Sequence, residues 1–201
     1  MTDGKIRAAD VKALRERTGA GMMDCKKALV DTNGDMDAAE KKLKELGLAA
    51  VAKRRGRATS SGRVFAKIDA GGGAILELSS ETDFVSRNDS FVSLGNTVLG
   101  DILDGAQRDA LDATVADSIA IIKENIEIRR YRTFDVAERE FLIEYIHGEG
   151  SVGVIVKVEA EDPADQRVRD LAFDVALHVA AFAPLFLTVD SVDAAYLAEK
   201  E

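Results

Sequence analysis

Short runs of apolar residues in the middle of the chain predict paired strands. Two such runs, 63–69 and 74–79, flank three consecutive glycines at 71–73, which is typical of a hairpin turn. Residues 126–134 alternate between apolar and polar side chains, which predicts a further strand. These segments indicate a small antiparallel sheet.

The same order of strand, glycine-rich turn and strand returns at 141–147 and 152–158, around Gly148-Glu149-Gly150. Each hairpin is followed by apolar residues at helical spacing, in helices expected over 90–104 and after Asp162-Pro163. This repeat predicts an α+β fold with two related halves, each an antiparallel sheet packed with helices. The expected halves are residues 63–135 and 136–201.

Large apolar residues define the predicted buried face of each helix. The first helix is expected to bury Phe91, Leu94, Val98 and Ile102. The helix after Pro163 is expected to bury Val168, Leu171, Val175, Val179 and Phe182. Later in the first half, Thr114-Val115-Ala116-Asp117 resembles a capping box, and this predicts that another helix begins there.

Residues 1–52 predict a small UBA-like bundle of three helices. Two clusters of helix-breaking residues, 18–21 and 32–35, interrupt the helical apolar spacing, and Gly47 is well placed to end the third helix. Residues 53–62 are rich in basic and small polar side chains and predict a basic flexible linker.

The adjacent Met22 and Met23 open the predicted second helix of this bundle. Neighbouring residues on a helix cannot share one buried stripe. Two interpretations remain open: one methionine is exposed as an adaptable contact surface, or both fill the gap between helices.

Charge is distributed unevenly along the chain. Residues 1–57 carry 14 Lys and Arg against 9 Asp and Glu, and the remainder carries 13 against 27. The acidic remainder is poorly suited to bind nucleic acid, so no direct nucleic-acid contact is expected. No apolar run approaches the roughly 18 residues that span a bilayer. Together with the single Cys25, these features favour a cytoplasmic protein that does not bind membranes.

Side chains suited to catalysis or metal binding are scarce. One Cys and two His leave almost no material for a metal site or for Cys–His catalysis. Cys25 and His178 lie on apolar helix faces and are expected in the core, whereas His147 ends a strand and is expected at the surface. Residues 148–153 spell G-x-G-x-x-G but precede a strand, so they predict a hairpin loop and no dinucleotide site. We therefore expect no cofactor, no metal and no enzymatic activity.

Residues 81–88 connect a predicted strand to a helix and are expected at the surface. Phe84 has two interpretations there. It can fold into the core while Asp83 caps a turn. It can instead be an exposed anchor for another protein, with Asp83 as its polar neighbour. The local sequence does not separate the two.

Several motifs resemble the bacterial elongation factor Ts family. Residues 15–29 are similar to a motif of its N-terminal module, and residues 81–88 to its second signature, Thr-Asp-Phe-Val-Ala-Arg-Asn, with Ser86 replacing Ala. Glu124-Asn125-Ile126 resembles a third stretch, with Lys123 where the family usually has Gly. The resemblance runs from about Ala9 to nearly the C-terminus. Many members continue into a helical hairpin and a last segment, an extension expected to be absent here.

This resemblance implies a guanine-nucleotide exchange factor that binds elongation factor Tu and promotes GDP release in translation. The predicted bundle over residues 1–52 is called the head. In the head, the residues implied to face a helix of Tu's nucleotide-binding domain are Arg15, Met22, Met23 and Lys26. In the implied partner-binding run Thr82, Asp83, Phe84 and Val85, the central pair would insert between two helices near Tu's magnesium and phosphate site. His147 would hold the same face from the second half.

Two other functions fit parts of the sequence. A protein-binding adaptor with a UBA-like head would bind a partner without accelerating nucleotide release. An RNA-binding protein that uses the basic head and linker would bind with strong salt dependence.

Overall fold

The computed structural model describes residues 6–54, 56–193 and 196–198, which form helices and antiparallel strands. The helices are α1 (Ala8–Thr18), α2 (Met22–Asp31), α3 (Met36–Arg54), α4 (Asp83–Ser86), α5 (Asp89–Leu103), α6 (Arg108–Ile122) and α7 (Gln166–Phe182). The strands are β1 (Ser61–Asp69), β2 (Gly72–Ser80), β3 (Ile126–Asp135), β4 (Glu140–His147) and β5 (Val152–Glu159). The predicted α+β class is confirmed.

Strand β2 is the centre of a three-stranded antiparallel sheet, with β1 along one edge and β3 along the other. Its last residue, Ser80, lies opposite both Ser61 and Ile126. Successive side chains of a strand point to opposite faces. One face of β2 is formed by Ala74, Leu76 and Leu78, which are fully buried in a core shared with α5 and α6.

Helix α5 approaches the sheet closely at Gly95. A Cβ atom on this residue would lie 2.1 Å from Cζ of Phe65 on β1, so the Phe65 ring occupies the space that a side chain would need. The Phe65 ring also packs against Phe91, with 6.3 Å between the ring centroids. The predicted buried residues of this helix, Phe91, Leu94, Val98 and Ile102, are all in the core.

Strands β4 and β5 form a hairpin that packs on the other face of the three-stranded sheet. The contact is close because glycines face it: a Cβ on Gly153 would lie 2.3 Å from Cγ1 of Val64. Residues 148–150 form the turn of this hairpin, as predicted. Helix α7 lies across the hairpin, where the rings of Phe173 and Tyr145 pack at nearly right angles. The relation between the two halves stays a prediction, since the first sheet has three strands and the second has two.

Helix α7 packs through small residues, so its predicted buried face was wrong at three of five positions, whereas Val168 and Val179 are half-buried. Ala172 and Ala176 are the buried positions, and their short side chains let the helix lie close to β4 and β5. His178, expected in the core, is exposed and stacks on Phe182 with 4.6 Å between ring centroids. Three large residues expected in the core are exposed instead: Leu171, Val175 and Phe182.

Helices α1, α2 and α3 pack around a core of their own, and Cys25 is fully buried in it, as predicted. Its likeness to a UBA-like bundle stays a prediction. Helix α3 does not end at Gly47 but continues to Arg54. A Cβ on Gly47 would lie 2.9 Å from Cβ of Ala120, so this glycine lets α3 pack against α6. Gly47 thus allows a tertiary contact and does not end the helix.

The predicted linker 53–62 is partly built into the fold. Its first two residues belong to α3 and its last two to β1. Thr59 between them is 4% exposed, and its hydroxyl accepts a hydrogen bond from Ser79 Oγ at 3.1 Å. The carbonyl of Thr59 accepts a hydrogen bond from Arg129 Nη2 at 2.8 Å. The linker prediction was wrong there because the neighbouring strands satisfy these polar groups.

Two helix starts differ in how well the sequence indicated them. Asn88 caps α5, and its side-chain oxygen accepts a hydrogen bond from the backbone N–H of Ser90 at 2.8 Å, as capping residues do. Helix α6 begins at Arg108, so the predicted start at Thr114 was wrong. The Thr114 hydroxyl donates to the carbonyl of Ala110 within the helix.

None of the described helices is both long and apolar enough to cross a membrane.

The packing of α5 gives a stability prediction. Gly95→Ala should destabilise the fold by about 1–3 kcal/mol, because its methyl group overpacks against the Phe65 ring. Gly100→Ala in the same helix is the matched control, since a Cβ there meets nothing within 4 Å. The control should stabilise by about 0.5–1 kcal/mol, because Ala has the higher helix propensity. Chemical denaturation of the two variants measures both effects, and equal changes would contradict the predicted packing.

Candidate protein-binding surface

Phe84 lies on α4, a single helical turn between β2 and α5. Val85 packs against the core that β2 shares with α5 and α6, and Ser86 is 5% exposed. Successive residues of a helix point about 100° apart, so burial of the last two residues turns Asp83 and Phe84 towards solvent. The Phe84 side chain is 83% exposed. Of its two interpretations, the structure therefore excludes burial in the core of this chain.

Local hydrogen bonds hold this turn in shape. Thr82 is its N-cap, and the Thr82 hydroxyl accepts from the backbone N–H of Val85 at 3.4 Å. The hydroxyl of Ser86 donates to the carbonyl of Asp83 at 2.9 Å. Ser80, at the end of β2, donates its hydroxyl to the carbonyl of Thr82 at 2.9 Å. These hydrogen bonds pair polar groups of the turn within it and with Ser80, and the Phe84 ring is the main apolar surface that the turn exposes.

Helix α2 exposes a second surface in the head. Its buried face is formed by Cys25, Ala28 and Leu29, so the residues at its start point outward. Met22 is 57% exposed and Met23 is 72% exposed, so neither fills a gap between helices. Arg15 on α1 and Lys26 on α2 are also exposed. All four head residues singled out from the sequence are therefore accessible.

Two consecutive residues connect the head to the Phe84 turn. Lys123 follows α6 and its Nζ lies 2.8 Å from Oδ2 of Asp24 on α2, next to Met23. The following residue, Glu124, accepts hydrogen bonds from Thr82. The start of α2 and the α4 turn therefore adjoin the same short segment. Lys123 has φ 68°, a left-handed conformation that favours glycine, the residue usual here in the similar family.

His147 is exposed at the end of β4, as predicted. Its Nδ1 shares a hydrogen bond of 2.8 Å with the Tyr145 hydroxyl, which orients the ring. The turn after His147 contacts the beginning of β1, where Arg63 Nε donates to the carbonyl of Glu149. Because β1 begins opposite the end of β2, this turn reaches the end of the sheet that carries the Phe84 turn.

The geometry of these residues is suited to protein binding. Exposed aromatic residues, methionines and arginines, here Phe84, Met22, Met23 and Arg15, are residue types enriched in protein interfaces. Among the described residues, no group of three or more His, Cys, Asp and Glu could hold a metal ion.

Known sequences identify the family. The family described as Elongation factor TS matches residues 81–201. The elongation factor Ts of Treponema denticola is 41% identical over 98% of this chain and 72% of the relative. The chain belongs to the elongation factor Ts family. The elongation factor Ts of Borrelia hermsii is also 41% identical, over 98% of this chain and 73% of that relative. Membership gives the chain a role in translation elongation.

Sequence reasoning missed the residues that support the elongation factor Ts signature at 81–88. Glu124 accepts a hydrogen bond from the backbone N–H of Thr82, just before the Phe84 turn, and Glu81 accepts one from the backbone N–H of Asn125, just before β3. Two signals were available: each carboxylate lies next to the end of a predicted strand, and each belongs to a stretch that resembles the elongation factor Ts family. Their pairing depends on the alignment of β2 with β3, which the sequence does not specify.

The exposure of Phe84 gives a second stability prediction. Phe84→Ala should change the free energy of unfolding by less than about 0.5 kcal/mol, because an exposed ring loses few contacts. Phe91→Ala is the matched control, since its fully buried ring should cost about 3–5 kcal/mol. Urea denaturation of both variants measures this. Equal destabilisation would show that Phe84 is part of the core.

Proposed function

We propose that this chain is a guanine-nucleotide exchange factor that binds elongation factor Tu and promotes GDP release in the cytoplasm. Family membership supports a role in elongation. The observation that carries the proposal is Phe84, 83% exposed on a hydrogen-bonded turn within the family's signature. A fixed exposed aromatic is suited to bury itself in a partner.

Exchange requires a difference in affinity and no nucleophile. A protein that binds nucleotide-free Tu more tightly than loaded Tu must weaken nucleotide binding by the same factor. Displacing the elements that hold magnesium is sufficient, because the ion neutralises phosphate charge. The proposed factor therefore acts by binding alone and needs no cofactor.

Each exposed surface has a proposed part in this binding. Asp83 and Phe84, in the run Thr82–Val85, would enter Tu near the magnesium site. Arg15, Met22, Met23 and Lys26 would hold Tu's nucleotide-binding domain from the head, and His147 from the second half. We propose a head over residues 1–52, with the halves 63–135 and 136–201 behind it.

The decisive experiment times the release of a fluorescent GDP analogue from Tu. Phe84→Ala should lower the exchange efficiency roughly thirtyfold or more, which corresponds to about 2 kcal/mol of lost binding energy. Phe134→Ala is the matched control, because Phe134 lies opposite Gly73 at the far end of the same sheet. Binding of Tu without faster GDP release would instead support the adaptor, and binding to RNA alone would support the RNA-binding function.

The head surface is tested by a double substitution. Met22→Ala with Met23→Ala should weaken association with Tu about tenfold or more, because both thioethers lose their partner contacts. The fold should remain, since both side chains are largely exposed. Titration of labelled Tu measures the affinity, and circular dichroism checks the fold. Unchanged affinity in a folded variant would remove the methionines from the proposed interface.

A further inference from the structure

The ends of β2 and β3 are joined by two side chains in place of backbone pairs. Ser80 and Ile126 form the last pair of the ladder. Beyond this pair, Glu81 Oε1 accepts a hydrogen bond from the backbone N–H of Asn125 at 2.7 Å. Reciprocally, Glu124 Oε2 accepts from the backbone N–H of Thr82 at 3.0 Å. Carboxylates thus accept hydrogen bonds from both backbone N–H groups at the point where β2 and β3 separate.

The second oxygen of Glu124 acts on the cap of the Phe84 turn. Glu124 Oε1 accepts a hydrogen bond from the Thr82 hydroxyl at 2.6 Å, a short charge-assisted bond. Because the hydroxyl hydrogen points to Glu124, the oxygen lone pairs are free to accept from the N–H of Val85. The carboxylate therefore fixes both the backbone and the side chain of the residue that caps α4.

Glu124 is itself held by a rigid neighbour. Asn125 is 3% exposed, and its side-chain amide donates to the carbonyl of Arg57 at 2.9 Å and to Oε1 of Glu127 at 3.0 Å. Because the Asn125 side chain is hydrogen-bonded to both Arg57 and Glu127, the adjacent backbone at Glu124 is held against the start of β3. Rigid support of this kind lowers the entropy that a binding residue loses on association.

We propose that Glu124 is a positioning residue for Phe84. Its carboxylate holds Thr82, the Thr82 cap holds the α4 turn, and the turn presents the ring to the partner already oriented. The importance of this role for exchange rests on the proposed function, whereas the positioning itself is a property of the isolated chain. The two statements can therefore be tested separately.

The first experiment measures positioning without a partner. The natural chain contains no tryptophan, so Phe84→Trp introduces a single indole reporter. Adding Glu124→Ala should increase the fast local motion of this indole in time-resolved fluorescence anisotropy, because the cap loses its fixed acceptor. Glu124→Gln should restore most of the order, since its amide can still accept from the Thr82 N–H. Equal motion in all three proteins would overturn the proposal.

The second experiment measures exchange on Tu. Glu124→Ala should lower the exchange efficiency about tenfold, or about 1.4 kcal/mol, with Glu124→Gln between it and the natural chain. In the Phe84→Ala background, Glu124→Ala should have little further effect, because no ring remains to be positioned. Glu77→Ala is the matched control: it removes a carboxylate that bonds Arg130 on the same sheet, away from the turn.

The outcomes separate the two proposals. If Phe84→Ala slows exchange but Glu124→Ala does not, the positioning role is wrong and the exchange function stands. If the natural chain does not accelerate GDP release while Glu124→Ala still loosens the indole, the exchange function is wrong and the positioning stands. If Glu124→Ala fails to fold, the anisotropy of the Glu124→Gln variant decides: an indole more mobile than with Glu124 supports positioning, and unchanged motion contradicts it.

Discussion

Burial of one face of β2 is the constraint on which the rest of the fold after the head depends. Ala74, Leu76 and Leu78 are removed from water beneath α5 and α6, and their contacts fix where β2 ends. Burial of a Leu side chain contributes about 1.5–3 kcal/mol, and shifting this strand by one residue would turn these side chains away from the core shared with α5 and α6. The position of the Phe84 turn after Ser80 follows from that register.

Exposure of a phenylalanine ring to water costs free energy, and the turn around Phe84 prevents the ring from folding into its own chain. A free aromatic side chain would tend to bury itself in its own chain. Here Val85 and Ser86 occupy the inward positions of α4, and a single helical turn has no inward place left for Phe84. The polar atoms around the ring are bonded to Thr82, Ser86 and the carboxylate of Glu124. The structure therefore holds an apolar group in water through polar contacts.

Among the described residues, small side chains and an ion pair place the head against the rest of the fold. Gly47 allows α3 to approach Ala120 on α6, and Gly19 contacts the side chain of Ile121. The pair of Asp24 and Lys123 is about half exposed, so it contributes little to stability, at most about 1 kcal/mol. Its consequence is geometric, because it places the start of α2 beside the segment that carries Glu124.

The sequence by itself determined the strands, the α5 core face, the hairpin loop at 148–150 and the family's signature at 81–88, because local periodicity and turn chemistry specify them. Gly47, Ala172 and Ala176 show where it failed: small residues gain their importance only from what packs against them, which lies far along the chain. Whether Phe84 is buried, and which carboxylate supports its turn, also depended on non-local contacts. Only the tertiary structure decided these, because it alone brings the ends of β2 and β3 together.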